Sequence, residues 1–390
     1  MTTTDTTEVW CFDALDTFFF KESRPLEAVG GAQLSSTFPP PARTLIGAIR
    51  TVLGDAYGVH WPDYGAQEQH ALRTLMGSPD DLAPLSMQGP YLMHQGHRLY
   101  PAPLVLLQAK ARDNSAQERL HFTRLRPADN AVNCDLGWVR LPQKQNPALL
   151  GAKPVEGYWL TASGLKTVLQ GQTPQAHDLI EGRDLFAAED RLGIARDAHT
   201  KRSIDGLLYQ TRHVRPHVDT ALAMTVHGLD ATAFEHLPRQ GLARLGAEGR
   251  LSAWSRHAPQ ALPKIDIQGQ RLMLCALTHT QFEKGWLPDG FEPVTTEVDG
   301  KPLQVWHGQL ANKPARLVSV VTGKPVREGG WDMSQHRPRV LQGLVCTGSC
   351  YFFELDSAED ARHVAQAMHG AQWGQDTRWG RGQVGVGLWH

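Results

Sequence analysis

The sequence has little cysteine, no surplus of either charge and no long apolar run. Five cysteines are spread over 390 residues without a Cys-x-x-Cys pair, which argues against a zinc knuckle or a disulfide framework and favours a reducing compartment. The 39 basic and 40 acidic residues give a net charge of −1. This excludes a globally basic coat protein for nucleic acid, although phosphate binding depends on a local patch. No segment reads as a membrane span or a secretory signal, so we expect a cytoplasmic protein with no membrane partner.

The chain is long enough for two domains, and 41% of its residues are hydrophobic. Each half reads as strand, helix, strand, strand, helix, glycine loop and strand, which is similar to the β-α-β-β-α-β plan of ferredoxin-like and RRM domains. Residues from about 60 to 190 are rich in proline and show no sustained apolar period, which indicates a long insertion. The sequence thus predicts an α+β fold with two ferredoxin-like or RRM-like domains at 1–258 and 262–390, the first carrying the insertion.

Several local patterns predict individual elements of these domains. Ser357 and Asp360 form a capping-box pair ahead of a helix that ends near Met368. Short helices are predicted at Gly164–Leu169, at Ala231–Leu237 and, weakly, at Thr280–Lys284. Residues Gly241–Arg250 read as a glycine-punctuated loop.

Three prolines lead into an amphipathic helix within the stretch 35–53. Leu45, Ile46 and Ile49 lie on one helical face, and Pro41 suits the helix start because it has no N–H to satisfy. Arg43 and Thr44 then lie beside unpaired backbone N–H groups at the positive end of the helix dipole, which is an anion-site pattern. The alternative is an ordinary amphipathic helix with a solvated arginine. The two-domain plan would place this helix start on the same side as the loop Gly241–Arg250.

Other motifs give weaker signals. Gly380-x-Gly382-x-x-Gly385 has dinucleotide-site spacing but lacks the following helix and acidic residue, so it reads as a loop through which the backbone approaches a partner. His213 and His217 have helical metal-ligand spacing in a strand-like region with Pro216 between them, which disfavours a metal site. Cys346 and Cys350 read as a buried pair. No spacing specifies a catalytic residue, and no cofactor is predicted.

Two clusters of basic residues are interleaved with aromatic rings. Such a combination suits single-stranded RNA, because guanidinium and ammonium groups pair with phosphates while bases stack on rings. The alternative is a solvated, salt-bridged face. The first cluster is Arg183, Arg191, Arg196, Lys201, Arg202, Arg212 and Arg215, near Tyr209; the second is Lys313, Arg316, Lys324, Arg327, Arg337 and Arg339, near Trp331 and His336.

Ordered motifs over most of the chain resemble the third Cmr subunit family, RAMP proteins of type III-B CRISPR effector complexes. The opening stretch Phe12–Thr51 carries the resemblance, together with Glu189-x-Arg191-x-Gly193-Ile194-x-x-Asp197-x-x-Thr200. Further matches are Leu245-Gly246-x-Glu248-Gly249-Arg250, Gly285-Trp286-Leu287-Pro288, Gly329-Gly330-Trp331-Asp332 and Gly348-Ser349-x-Tyr351-Phe352-Phe353. The predicted insertion contains few of them.

The resemblance implies two RRM-like RAMP halves in a non-catalytic subunit. It implies that the subunit holds the 5′ handle of the CRISPR RNA, docks the large polymerase-like subunit and contacts the backbone RAMP nuclease subunit, meeting target RNA only indirectly. Alternatives are a metal-independent endoribonuclease that processes repeat RNA and a pure protein-docking subunit. The candidate RNA-binding residues are Lys21, Arg24, Arg43, Thr44, Arg50, Arg191, Arg196, Thr200, Lys201, Arg244, Gly246, Gly249, Arg250, Trp331 and His336.

Overall fold

The computed structural model describes residues 5–22, 33–61, 64, 71–112, 118–197, 199–298, 300–332 and 335–390. Over these residues the fold is mixed α/β, with many strands and few helices. The helices are α1 (Ala42–Ala56), α2 (Arg73–Met76), α3 (Ala162–Leu169) and α4 (Ala358–Met368), with short 3-10 turns at Ala176–Asp178 and Gly182–Asp184.

The strands of the first two hundred and sixty residues are β1 (Asp5–Ala14), β2 (Gln33–Ser35), β3 (Ser86–His94), β4 (His97–Arg98), β5 (Tyr100–Pro101), β6 (Leu106–Arg112), β7 (Glu118–Pro127), β8 (Val132–Cys134), β9 (Gly137–Val139), β10 (Pro142–Lys144), β11 (Lys153–Pro154), β12 (Tyr158–Leu160), β13 (Leu179–Glu181), β14 (Phe186–Arg196), β15 (Ser203–Pro216), β16 (Thr220–Asp230), β17 (Gln240–Arg244) and β18 (Leu251–His257). The later strands are β19 (Arg271–Ala276), β20 (Glu292–Val298), β21 (Lys301–Leu310), β22 (Lys313–Val321), β23 (Val326–Glu328), β24 (Trp331–Asp332), β25 (Arg337–Pro338), β26 (Gln342–Leu344), β27 (Cys350–Leu355), β28 (Trp379–Gly380) and β29 (Val384–Leu388).

Two large sheets organise the molecule. The first has the strand order β17-β18-β1-β16-β3-β28, with β4 also on β3, and the second has the order β20-β21-β22-β27-β19-β29. The chain between β3 and β16 builds the smaller sheets β10-β7-β6-β11 and β13-β12-β5, and together with the earlier strand β2 it builds the sheet β14-β15-β2. The segment near residue 380 joins both large sheets, because β28 pairs in parallel with β3 and β29 pairs antiparallel with β19.

Helix α1 covers one face of the first sheet. Leu45, Ile49 and Leu53 are fully buried there with Trp10 and Phe12 of β1, as the apolar spacing predicts. Pro41 is the N-cap residue and provides no side-chain cap. Burying each large aliphatic side chain contributes roughly 1.5–3 kcal/mol, so core packing is what holds this helix in place.

The central strands of the second sheet are buried on both faces. Leu272 and Leu274 pack with α4, whereas Met273 and Cys275 face a third core with α3. Because successive side chains on a strand point to opposite faces, this explains the continuous apolar run of β19. Helix α4 begins as predicted, since Ser357 Oγ accepts from the Asp360 N–H at 3.0 Å.

Several local predictions are wrong. Residues 231–237 form turns and not a helix, and Thr280–Lys284 contains no helix. Part of the predicted loop Gly241–Arg250 is strand β17. The predicted pair of Cys346 and Cys350 is also wrong, because Cys350 faces Cys275 across the β19–β27 ladder while Cys346 is partly exposed.

The segment at 60–190 is not irregular where it is described. It contains strands of two or three residues, which are too short to show a period of two in the sequence, together with the longer β3, β6 and β7. Helix α3 lies close to the predicted helix at Gly164–Leu169, and its N-cap residue is Thr161, whose side chain accepts from the Gly164 N–H. No described helix is long and apolar enough to cross a membrane.

Candidate nucleic-acid interface

Three arginines from separate segments converge on the carboxylate of Asp16, just after β1. Arg191 of β14 and Arg215 of β15 approach it at 2.7 and 2.8 Å, and Arg250 approaches it at 3.1 Å. Glu189 bonds Arg191 and Arg215, and Glu248 bonds Arg250. We call these six residues the Asp16 cluster. The structure therefore brings together two of the predicted site arginines, Arg191 and Arg250.

The formal charges of the Asp16 cluster cancel, with three guanidinium groups against three carboxylates. The hydrogen bonds from Arg191, then Arg215, hold the pKa of Asp16 below its usual value. The Asp16 side chain is 46% exposed, so an incoming anion can reach it. Guanidinium groups bind carboxylate and phosphate with the same planar donor geometry, so a phosphate can replace Asp16 on these arginines.

The glycine turn at 246–249 holds Arg250 in its place within the Asp16 cluster. The Ala247 N–H donates to the Phe19 carbonyl at 2.8 Å. Gly246 has φ +94°, and a Cβ there would lie 2.6 Å from the Phe19 oxygen. The turn therefore requires glycine at 246 to lie against the segment that follows β1. At Gly249, φ is +63° and a Cβ would meet nothing within 4 Å.

His213 is a buried structural residue under the cluster. Its Nδ1 lies 3.0 Å from Thr17 Oγ1, and its ring stacks on Phe19 at a centroid distance of 4.8 Å. Burial, then Arg250 and Arg191, lower its pKa, so the ring is neutral at pH 7. No group of three or more His, Cys, Asp or Glu residues in the described part of the chain could hold a metal ion.

The start of α1 lies at a second place, against the turn at Gly380. The Arg43 guanidinium lies 3.7 Å from the centre of the Trp379 ring. Burial lowers the pKa of Arg43, and nearby Arg339 and Arg381 add to this effect. The Thr44 N–H donates to the Pro41 carbonyl at 2.9 Å. The helix start therefore presents a stacked arginine in a locally basic environment.

The glycine motif at Gly380 and Gly382 packs on the protein's own backbone. A Cβ at Gly380 would lie 2.6 Å from the Gly89 oxygen, and one at Gly382 would lie 2.0 Å from the Trp373 oxygen. Both glycines have positive φ. The expected close approach is thus real, but it joins two parts of this chain and does not open the backbone to a partner.

The remaining predicted residues make other contacts or are exposed. Arg50 donates to the Gly77 carbonyl at 3.0 Å, which ties α1 to the following segment. Thr200 caps a turn by donating to Asp197 Oδ1 from its hydroxyl at 2.9 Å, between the exposed Arg196 and Lys201 at the tip of the β14–β15 hairpin. The other exposed members are Lys21, Arg244, Trp331 and His336; Arg24 lies outside the described residues.

Sequence reasoning missed three functional candidates. Asp16 gives no sequence signal for an RNA site, because a carboxylate repels phosphate. Arg381 and Glu328 lie far apart in sequence yet pair at 2.6 Å, with both side chains buried. The only sequence signal for Arg381 was its place inside the glycine motif, which flags close packing but not the carboxylate that it meets.

The chain matches the family model of the CRISPR-associated protein Cas_Cmr3 over residues 10–389. It is therefore a CRISPR-associated protein. Within that class it belongs to the Cmr3 family, as the resemblance of its motifs implied.

Similar solved structures are chains of type III-B Cmr-beta complexes. One is from the complex bound to cognate target RNA and AMPPnP, state 1, with 12% identity, TM-score 0.44, and coverage of 92% of this chain and 88% of that chain. Another is from the complex bound to cognate target RNA, with 12% identity, TM-score 0.45, and 92% and 89% coverage. A third is from the apo state, with 13% identity, TM-score 0.30, and 64% and 96% coverage. No curated protein sequence matches the chain.

Proposed function

We propose that the chain is a non-catalytic RNA-binding subunit of a type III-B CRISPR ribonucleoprotein that holds the 5′ handle of the CRISPR RNA. In this proposal it also docks the large polymerase-like subunit and contacts the backbone RAMP nuclease subunit. The observation that carries the RNA role is the convergence of Arg191, Arg215 and Arg250 on the exposed Asp16 in a member of the Cmr3 family. Three guanidinium groups from separate segments form a preassembled anion site when a phosphate displaces the Asp16 carboxylate.

We also propose that each large sheet is a ferredoxin-like RAMP unit. In the first sheet the strands β18, β1, β16 and β3 lie in that order, which is fourth, first, third and second along the chain. In the second sheet β29, β19, β27 and β22 repeat the same permutation. This shared permutation supports two related halves. The insertion then lies between β3 and β16, since β3 is itself a central strand of the first unit.

RNA retention by the assembled complex tests the handle role. We expect Arg191→Ala together with Arg250→Ala to reduce copurified RNA by about tenfold and to lower the salt slope by roughly 0.7 for each lost phosphate contact. Arg212→Ala is the matched control, because Arg212 lies on the same hairpin but pairs with Asp190. If the double variant retains as much RNA as the wild type, this site is refuted. It is also refuted if Arg212→Ala loses as much RNA as the double variant.

The same preparation separates the alternatives. Metal-independent cleavage of repeat RNA by the purified chain would replace the scaffold proposal with an endoribonuclease. Ultraviolet crosslinking that yields no adduct to this subunit, in a complex that carries RNA, would leave a protein-docking role only.

A further inference from the structure

A pocket of about 390 Å³ lies between the two halves of the molecule. Phe38 and Trp159 line it from the first half, and His279, Glu328 and Arg381 line it from the second. Its volume is within the range of roughly 300–1,000 Å³ that is usual for small-ligand sites. The pocket is lined by apolar and aromatic side chains together with a few buried polar groups, which is the composition of a specific binding site.

Glu328 supplies an acceptor to this pocket. Its Oε1 accepts from Arg381 Nη2 at 2.6 Å, and Glu328 and Arg381 are only 5% and 2% exposed. Arg381 is held further by Asp376 at 3.1 Å, by Gln342 at 3.0 Å and by Gln281. Among the described residues none donates to the second oxygen of Glu328. That oxygen can therefore accept a hydrogen bond from a ligand in the pocket, and hydrogen bonds to a charged acceptor are among the stronger ones.

His279 supplies a donor to the same pocket. Its Nδ1 accepts from the Thr347 N–H at 3.2 Å, which leaves the proton on Nε2. Burial lowers the pKa of His279, so the ring is neutral. In the part of the chain that the structure describes, no group accepts from Nε2. The pocket thus offers a carboxylate acceptor and an imidazole N–H donor whose own partners are fixed.

Guanine is the nucleobase whose edge matches this pair. Its N1–H and N2–H groups are adjacent donors for a carboxylate, and its O6 beside them accepts from an N–H. Adenine, cytosine and uracil each lack two adjacent donors. Phe38, Tyr158 and Trp159 provide aromatic surface for stacking on the base.

The surroundings of the pocket favour a base that belongs to an RNA chain. Ala42 lines the pocket, and the next residue is Arg43, stacked on Trp379. A nucleotide with its base inside would have its phosphate near this guanidinium and the first turn of α1. We propose that the pocket takes one unstacked guanine of the bound RNA; this inference rests on the proposed RNA-binding function and names its specificity.

Binding of short RNAs to the purified full chain tests the guanine pocket. We expect the trinucleotide UGU to bind about tenfold more tightly than UAU, UCU or UUU, since well-placed hydrogen bonds to a base edge discriminate by roughly fivefold to a hundredfold. Glu328→Gln should abolish the preference, because its amide N–H₂ opposes a guanine donor. Glu292→Gln is the matched control, since Glu292 is an exposed carboxylate paired with Lys284 in the same half.

A second variant is needed because Glu328→Gln breaks a buried ion pair and can lose the preference through misfolding alone. Thr347→Phe fills the pocket from a half-buried turn position without removing a charge, and it should also abolish the preference for UGU while leaving the melting temperature within a few degrees of wild type. Guanosine monophosphate that binds as tightly as UGU would support the guanine pocket but overturn an RNA source. Equal binding of all four trinucleotides, or unchanged preference in Thr347→Phe, would overturn the pocket while RNA binding stands. Absence of trinucleotide binding together with absence of RNA from the assembled complex would overturn both proposals.

Discussion

Replacing Asp16 by asparagine gives the sharpest test of how the Asp16 cluster works. Asp16 contacts three arginines at 2.7 to 3.1 Å, and a bound phosphate would occupy the same space. In the wild-type subunit the phosphate must displace this carboxylate and then remain close to it. Asp16→Asn preserves the shape of the side chain and removes the negative charge.

The expected gain in RNA affinity follows from the charge alone. Two unit charges about 4 Å apart in water repel by about 1 kcal/mol, and 1.4 kcal/mol corresponds to about tenfold. RNA affinity should therefore increase about fivefold. The variant also loses exposed ion pairs, which contribute at most about 1 kcal/mol each, so its melting temperature should fall by a few degrees.

Fluorescence anisotropy with labelled handle RNA at fixed salt measures the affinity, and scanning calorimetry measures the melting temperature. Asp190→Asn is the matched control, because Asp190 is similarly exposed and pairs with Arg212 on the same hairpin. Lower affinity in Asp16→Asn would show that the cluster positions the chain and does not bind phosphate. An equal gain in the control would attribute the effect to net charge.

Further predictions concern stability and can be checked by denaturant unfolding. Gly246→Ala should destabilise the fold by more than about 1 kcal/mol beyond Gly249→Ala, because both positions have positive φ but only the first also places a Cβ 2.6 Å from the Phe19 carbonyl; equal costs would contradict this contact. Ile49→Ala should cost about 2–5 kcal/mol, since the side chain is fully buried in the first core, and a smaller loss would mean that α1 is not held by packing. The pKa of Asp16 is lowered by its arginines, so its stabilisation is present above about pH 4 and is lost as the pH falls below that value. Asp16→Asn should therefore flatten the acid limb of the stability curve, and an unchanged limb would contradict the ion pairing.

The elements that could be predicted from the sequence are those governed by local rules. The apolar spacing of α1 and the cap at Ser357 are short-range signals, and both elements formed where expected. The hairpin of β20 and β21 was missed because β20 is exposed at a sheet edge, so its sequence lacks the apolar alternation of a half-buried strand.

The candidate site was less predictable because its partners are distant in sequence. Arg191 and Arg250 could be selected from motifs, but their meeting point at Asp16 depends on the docking of the β14–β15 hairpin against the segment after β1. Arg50 illustrates the opposite case, in which a basic residue in a promising helix bonds a backbone carbonyl. The sequence shows that a charged residue can donate hydrogen bonds, but the tertiary fold determines which acceptor it contacts.

The pairing of β28 with β3 has a consequence for the timing of folding during synthesis. On the edge of β3 that faces away from β16, β4 covers Met93 and His94, whereas Met87 and Gln88 are covered when Trp379 and Gly380 add beside them. A ribosome-bound chain that has not yet released these residues therefore exposes an open strand edge, which is a template for pairing with other chains. We expect such nascent chains to need chaperones or low concentration to avoid aggregation. We also expect the pocket between the halves to bind ligand only after this late strand has paired.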